Sequence, residues 1–337
     1  MAGLTLSSGQ KFAMLMVENV YAEMPGNDHQ LSDGTWVLSR IPVEIETHWV
    51  KWIGTIRTEK MQTANLVLLR AVNSNNQTLA GDKEQIDLIQ HLVRLFSMLQ
   101  LDGVPEYAEA EIVAGAVLED GSNIRHVGKL PDFRHTKGYM RKAVDIARLE
   151  VATKLREALE QIEGMLSSNR FIRFMRGLNV LRDGLLQTLG QERIHQFVRS
   201  LEALVLPEVG STKRQFVNRC QTFAKASAQS KTVLEEAFDM RSDTEHLQDW
   251  NRALQSHPAT EREDVALQRT RQMERLATYA YSRILGEKAL WAHFQDDPAQ
   301  QAFWKLAEVS RNTIWGKRAD LTAIPIVRKY DRWNRAA

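Results

Sequence analysis

Residues 140 to 166 read MRKAVDIARLEVATKLREALEQIEGML, and their apolar positions Met140, Ala143, Val144, Ala147, Val151, Leu155, Leu159, Ile162 and Leu166 recur every three or four residues. That is the spacing of one face of an α-helix. From about Gly138 onward the chain reads as helices almost throughout. The Ser167-Ser168-Asn169 break separates this helix from Phe171 to Leu189. Gly190 separates the latter from Glu192 to Leu206, which stops at Pro207 and Gly210. Further helices are expected from Lys213 to Ser227 and from Lys231 to Trp250. Thr260 and Glu263, three apart, form the sequence pattern of a capping box that opens a long helix to Leu285. Two shorter helices follow, from Lys288 and from Pro298.

Upstream of this region the pattern differs. From about residue 31 to 135, short β-prone runs (Thr35 to Leu38, Trp49 to Thr58, Asn65 to Val72) are broken by Gly, Pro and Asn. One helix interrupts them, because Ile86, Ile89, Leu92, Val93, Phe96 and Leu99 share a face. The expected fold class is therefore α+β: an N-terminal mixed α+β domain over residues 1–137, an all-α bundle over 138–314, and a basic C-terminal tail over 315–337. A length of 337 residues suits two domains.

Apolar content of 43% and charged content of 26% are those of an ordinary globular chain, which excludes collagenous, disordered and disulfide-stapled classes. The net charge of +2 says little about partners, because it is the small difference between 44 basic and 42 acidic side chains. Basic residues do gather in the tail, where Lys317, Arg318, Arg328, Lys329, Arg332 and Arg335 surround Tyr330 and Trp333. That composition suits either nucleic-acid contact or a solvated, partly packed extension. A single cysteine, Cys220, excludes an intramolecular disulfide and a cysteine metal cluster within one chain, and fits a reducing cytoplasm. No run approaches the roughly 20 apolar residues of a membrane span, and the N-terminus lacks a secretory leader.

No phosphate-binding glycine loop, His-Glu-x-x-His or Gly-x-Ser-x-Gly is present. What remains is an arginine and a histidine with four residues between them, Arg241 and His246, in Met240-Arg241-Ser242-Asp243-Thr244-Glu245-His246. Spacing alone carries no weight, since Arg252 and His257 repeat it. The two copies differ in context. His257 precedes Pro258 and is biased out of helix, whereas the first copy reads as mid-helix after Val233-Leu234-Glu235-Glu236-Ala237-Phe238-Asp239-Met240.

In that context the segment resembles the Arg/His motif of the Apea-like HEPN domains, in which a helix with aromatic and aliphatic residues leads into the arginine and ends in histidine. The block from Arg193 to Leu204 is similar to the helix that those proteins place upstream, and Arg214 to Arg219 to their basic intermediate helix; the likeness spans about residues 170 to 285. The resemblance implies a HEPN-like helical bundle that pairs with a second copy to form one composite RNA-cleaving site, without metal or other cofactor. Products would be a 2′,3′-cyclic phosphate and a 5′-hydroxyl. It further implies a prokaryotic defence or toxin setting, with a trigger or regulatory partner sensed by the N-terminal domain.

The chemistry is coherent. An arginine fork holds a scissile phosphate, and a histidine moves the proton of the attacking 2′-hydroxyl or the leaving 5′-oxygen. Five residues at about 100° each place Arg241 and His246 roughly 140° apart, which favours a site completed by another chain. Asp243 and Asp249 flank His246 and favour its protonated form. Ser242, Asp243 and Arg219 are auxiliary candidates for RNA contact, and Trp250 for base stacking or core. Against these stands an ordinary ion pair between Arg241 and Glu245, four apart. Two departures from the family pattern, Ser242 after the arginine and Leu247 where Gly is common, keep a non-catalytic, dimerising or RNA-binding scaffold open. Gln248 stands where one subfamily has a modified tyrosine.

Overall fold

The computed structural model describes residues 4–18, 27–74, 82–101, 109–131 and 143–324. They form two compact units that part between Glu157 and Ala158.

The first unit is built on an antiparallel sheet. Its strands are β1 (Gln10–Glu18), β2 (His29–Gln30), β3 (Trp36–Leu38), β4 (Leu66–Asn73), β5 (Glu109–Leu118) and β6 (Gly121–Lys129), ordered β2-β3-β4-β1-β5-β6. Central β1 sets Met14 opposite Leu69 on one side and Val113 on the other. It begins upstream of residue 31, where the sheet was expected to start. The strand is buried on both faces and therefore shows no polar alternation.

Phe12, Met14 and Met16 face a core with Val67, Leu69 and Val113. Alternation turns Ala13, Leu15 and Val17 to the opposite face. There lies α3 (Lys83–Leu101), the expected helix, with Leu88, Leu92, Leu95 and Phe96 buried.

Trp49 to Thr58 is not a strand. It forms α1 (Thr47–Ile53) and α2 (Thr55–Thr63), hinged at Gly54, whose φ of 96° closes the first helix with a bond from its amide to the Val50 carbonyl. The aromatic and β-branched residues that suggested a strand instead lay one helix side on the sheet: Trp49 and Ile53 pack on the core, and the Trp49 indole donates to the Ser122 carbonyl at 2.7 Å.

Helix α4 (Ile146–Gly164) buries Leu155, Leu159 and Ile162 of the period read from the sequence, but Ala147 and Val151 are exposed and Leu149 and Ala152 are buried in their place; the onset at Met140 lies outside the described residues. Its first three turns belong with the sheet unit rather than beyond the boundary at 137. Glu150 accepts from the Ser32 amide at 2.9 Å, and Arg156 lies 3.4 Å from Asp33.

The second unit is helical: α5 (Ile172–Leu186), α6 (Gly190–Val205), α7 (Thr212–Cys220), α8 (Ala228–Glu245), α9 (Arg262–Gly286), α10 (Lys288–Phe294), α11 (Asp297–Lys305) and α12 (Glu308–Trp315). Most boundaries match the expected breaks, and four do not: helix α8, expected to reach Trp250, stops at Glu245, and three further differences follow. Helix α7 stops at Cys220, not Ser227. The long α9 starts at Arg262 with Glu261 as its N-cap, and Thr260 lies in the preceding turn, closed by a bond from the Glu261 amide to the Pro258 carbonyl at 2.9 Å. The Thr260 capping box does not form. Helix α12 was not expected as a helix, and Trp315 with the described residues after it, to 324, packs in the bundle rather than forming a tail. Trp315 is fully buried beside Phe223, with ring centroids 4.5 Å apart; Ala319 bridges Ala224; and Gln272 donates to the Leu321 carbonyl at 2.9 Å. Arg328, Lys329, Tyr330, Arg332, Trp333 and Arg335 lie outside the described residues. No helix among the described residues is long and apolar enough to cross a membrane.

Helix α6 is the hub of this unit, packed against α5, α7, α8, α9 and α11, with Ile194, Phe197, Val198, Leu201, Leu204 and Val205 fully buried. Its approach to α5 and α9 depends on Gly177. A Cβ there would sit 1.9 Å from the Tyr281 hydroxyl and 2.6 Å from the Ala203 Cβ. Tyr281, buried entirely, donates to the Ser200 carbonyl at 2.9 Å.

Gly177→Ala is expected to destabilise the protein by about 1–3 kcal/mol, the usual cost of forcing a methyl into a filled core. Gly164→Ala, whose methyl meets nothing within 4 Å, serves as the control and should be neutral or slightly stabilising. Urea unfolding of both variants measures the difference; equal midpoints would contradict this account of α5–α6 packing.

Candidate functional site at the end of helix α8

Helix α8 is anchored at its start by Ser227, whose hydroxyl accepts from the Ser230 amide at 3.0 Å. Ser230, Val233, Leu234, Ala237 and Met240 form its buried stripe, which sets Arg241 at the edge of the buried face.

The helix stops at Glu245. The Gln248 amide donates to the Asp243 carbonyl at 2.8 Å and the Leu247 amide to the Thr244 carbonyl at 3.0 Å, the paired bonds of a Schellman end. His246 is therefore the C-cap, exposed at the tip, and not the mid-helix residue that the sequence suggested. The position that such an end reserves for glycine is Leu247, held at φ 56° and 96% exposed.

Arg241 is held from two sides. Its guanidinium lies 3.2 Å from Glu202 on α6, pairs with Glu245 one turn ahead, and sits over the Phe238 ring at 5.9 Å. The ordinary i,i+4 ion pair is thus formed, but it is half of a bridge between helices. The two carboxylates differ: Glu202 is 15% exposed and Glu245 47%. Burial pushes the Glu202 carboxyl upward, against the pull of Arg241.

The auxiliary candidates separate. Ser242 lies beside Arg241, and its carbonyl accepts from the His246 amide. Asp243 is completely buried and paired with Arg252, so it is closed to a ligand and ties the turn after the helix to α8. Arg219 is not brought to the motif. It donates to the carbonyls of Val205 and Leu206 at the end of α6 and lies over Trp304 at 5.7 Å, a capping role.

The second Arg/His copy is absorbed in structure. Arg252 serves Asp243, while His257 contacts Glu236 at 2.9 Å, a carboxylate shared with Arg269 at 2.7 Å.

Three residues of this neighbourhood were not singled out from the sequence. His195, Glu202 and the intervening Arg199 stand at i, i+7 and i+4 on α6, so they line one face. Glu202 touches Arg241, and the charges of Arg241 and Arg199 act on His195. Burial first, then these two cations, lower the His195 pKa, and its Nε2 is buried without a hydrogen-bond partner. Their spacing was visible in the sequence, but nothing there showed that this face of α6 meets α8. Among the described residues no group of three or more His, Cys, Asp or Glu side chains could hold a metal ion.

Leu247→Gly should stabilise the chain by about 1 kcal/mol, because it removes a left-handed non-glycine residue at a site with no packing to lose; a lower urea midpoint would refute the strained cap. His195 supplies a pH test. Its folded value is depressed, so the unfolded chain takes up the proton first, and this contribution to stability is present above about pH 6.5 and declines as pH falls below it. In His195→Gln the urea midpoint is expected to fall less steeply with pH in that window, and an unchanged slope would assign the dependence elsewhere.

The chain matches no protein-family model, no curated protein and no solved structure. Its function is therefore read from the geometry of this helix end.

Proposed function

We propose that the helical unit is a metal-independent endoribonuclease of the HEPN type, acting on RNA at a site completed by a second copy of the chain. The observation that carries this reading is the tip of α8: an exposed His246 at the C-cap, five residues after an arginine fixed by carboxylates from two helices.

Glu202, largely buried, holds one side of the Arg241 fork. Glu245, about half exposed, is the contact that a phosphate displaces. The bound phosphodiester is attacked by its own 2′-oxygen, whose proton passes to a base. The P–O5′ bond breaks, and the 5′-oxygen takes a proton from an acid, leaving a 2′,3′-cyclic phosphate and a 5′-hydroxyl. His246 fills one of these proton-transfer roles, and its counterpart from the second copy fills the other. The angle of roughly 140° between Arg241 and His246 supports sharing between two chains. The sheet unit serves as the element that senses a trigger or regulatory partner, in a cytoplasmic defence or toxin role.

A second reading has its own observation: Arg241 is already paired with two carboxylates. On that ground the bundle binds RNA or dimerises without turnover.

The variants are chosen to spare the fold. Arg241→Ala would leave Glu202 buried without its cation, so Arg241→Lys, which keeps charge and loses the fork, is the better test. Arg241→Lys and His246→Ala are each expected to lower RNA cleavage in EDTA by about 100-fold or more, with unchanged circular dichroism. Activity retained in both variants would overturn the reading. Wild-type protein that binds RNA but yields no cyclic-phosphate ends would establish the scaffold instead.

A further inference from the structure

Just beyond His246 the chain enters the wall of a cleft. The cleft encloses about 440 Å³ between the first residues of α6, the turn at 249–254 and the first turns of α9, within the range of small-ligand pockets. Its apolar lining is Trp250, Leu254, Ala266 and Leu267; its polar lining includes Asp249, Asn251, Arg262 and Glu263.

Trp250 is the wall that faces the motif. Its indole nitrogen donates to the Met240 carbonyl at 3.1 Å and to the Thr244 hydroxyl at 3.0 Å, which pins the ring against the turn that carries Arg241. The ring is only partly buried, so it borders the cleft instead of filling a core.

We infer that this cleft receives one unstacked nucleobase of a single-stranded RNA, stacked on Trp250 and held at its hydrogen-bonding edge by Asp249. The inference rests on the reading of the adjacent helix end as an RNA site.

Three observations select the ligand. An open, partly apolar cleft bordered by a fixed indole suits a planar ring, since base–aromatic stacking is how proteins hold unpaired bases. The charge balance disfavours a phosphate inside. Two carboxylates line the cleft against one guanidinium, and Arg262 already donates to Asn251 at 2.9 Å and to the His257 carbonyl at 3.1 Å. The Asp249 carboxylate, one oxygen of which accepts from the Asn251 amide at 2.9 Å, offers its other oxygen to a ligand and so favours bases with amino donors, as a carboxylate accepts from the amino group of cytosine. Guanine, with two adjacent N–H groups, is the strongest match and uracil, with no amino group, the weakest. The phosphates then remain outside, on the side of His246 and Arg241.

The test uses the full chain. Ligand-observed NMR with free guanosine, adenosine, cytidine and uridine probes the slot alone, and fluorescence anisotropy with labelled single-stranded hexanucleotides probes the base within RNA. Wild type is expected to bind guanosine best and uridine least, and a guanine-containing oligonucleotide better than oligouridine. Trp250→Leu removes the stacking face, and Leu267→Trp fills the slot from its partly exposed wall without touching α8. Each should weaken oligonucleotide binding by roughly ten- to a hundredfold, the worth of one stacked base. Asp249→Asn should erase the preference for guanine while leaving stacking.

Failure of wild type to bind any nucleoside or oligonucleotide, or binding unchanged in both Trp250→Leu and Leu267→Trp, would overturn the inference. The two readings separate in the same samples. Nucleoside binding lost in these variants, with no RNA cleavage by wild type, upholds the base slot and removes the nuclease. Cleavage without nucleoside binding does the reverse.

Discussion

The Tyr281 hydroxyl reaches the Ser200 carbonyl at 2.9 Å because residue 177 has no side chain. That contact fixes three helices at once: α9 carries the tyrosine, α5 the glycine and α6 the carbonyl. A buried hydroxyl left unbonded costs about 1–3 kcal/mol, and a methyl at 177 would displace it. The position of α6 therefore follows from an absence on its neighbour. Everything at the tip of α8 is referred to α6, through Glu202 on Arg241 and through the hydrophobic stripes that the two helices share.

Charge in this unit is organised by the same packing. Arg193 and Glu274, both almost fully buried, pair at 2.8 Å between α6 and α9, and Glu236 on α8 collects His257 and Arg269. Such pairs contribute less to stability than their distances suggest, since desolvation offsets attraction, but losing one partner is costly. They act as register marks. Asp243 to Arg252 and Trp250 to Thr244 do likewise for the turn after α8, so the strained Leu247 cap is braced from both sides. Strain at such a position persists only where its surroundings hold it, and here the Asp243–Arg252 pair and the Trp250–Thr244 bond hold it.

Legibility in the sequence followed burial pattern. Helix α3 was legible from its spacing, though Ile86 of the face read is exposed and Leu88 and Leu95 are buried, and α5 and α6 were legible from the breaks that bound them. Strand β1 was not, because burial on both faces erases alternation. Trp49 to Thr58 misled because β-branched and aromatic residues serve either structure, and only the sheet beneath decided. The Thr260 pattern failed because Thr260 lies inside the turn that the Glu261 amide closes on the Pro258 carbonyl, which moves the N-cap one residue on. At the candidate site, Arg241 and His246 were found, and Glu245 was seen as a partner. Glu202, 39 residues away in sequence, was invisible as a partner, since only helix packing brings it there.

By itself the sequence determined the division into a sheet region and a helical region, since β-prone runs broken by Gly, Pro and Asn and a period of 3.6 residues are properties of neighbouring positions. It also determined which helix carries the Arg/His pair. Tertiary structure decided what the pair is. It placed His246 at an exposed cap, spent Asp243 and Arg252 on each other, turned Arg219 into a cap for α6, and opened a cleft beside Trp250. These outcomes depend on which faces meet. That is set by the summed burial of all the helices and by one missing side chain at Gly177, and local spacing does not encode it.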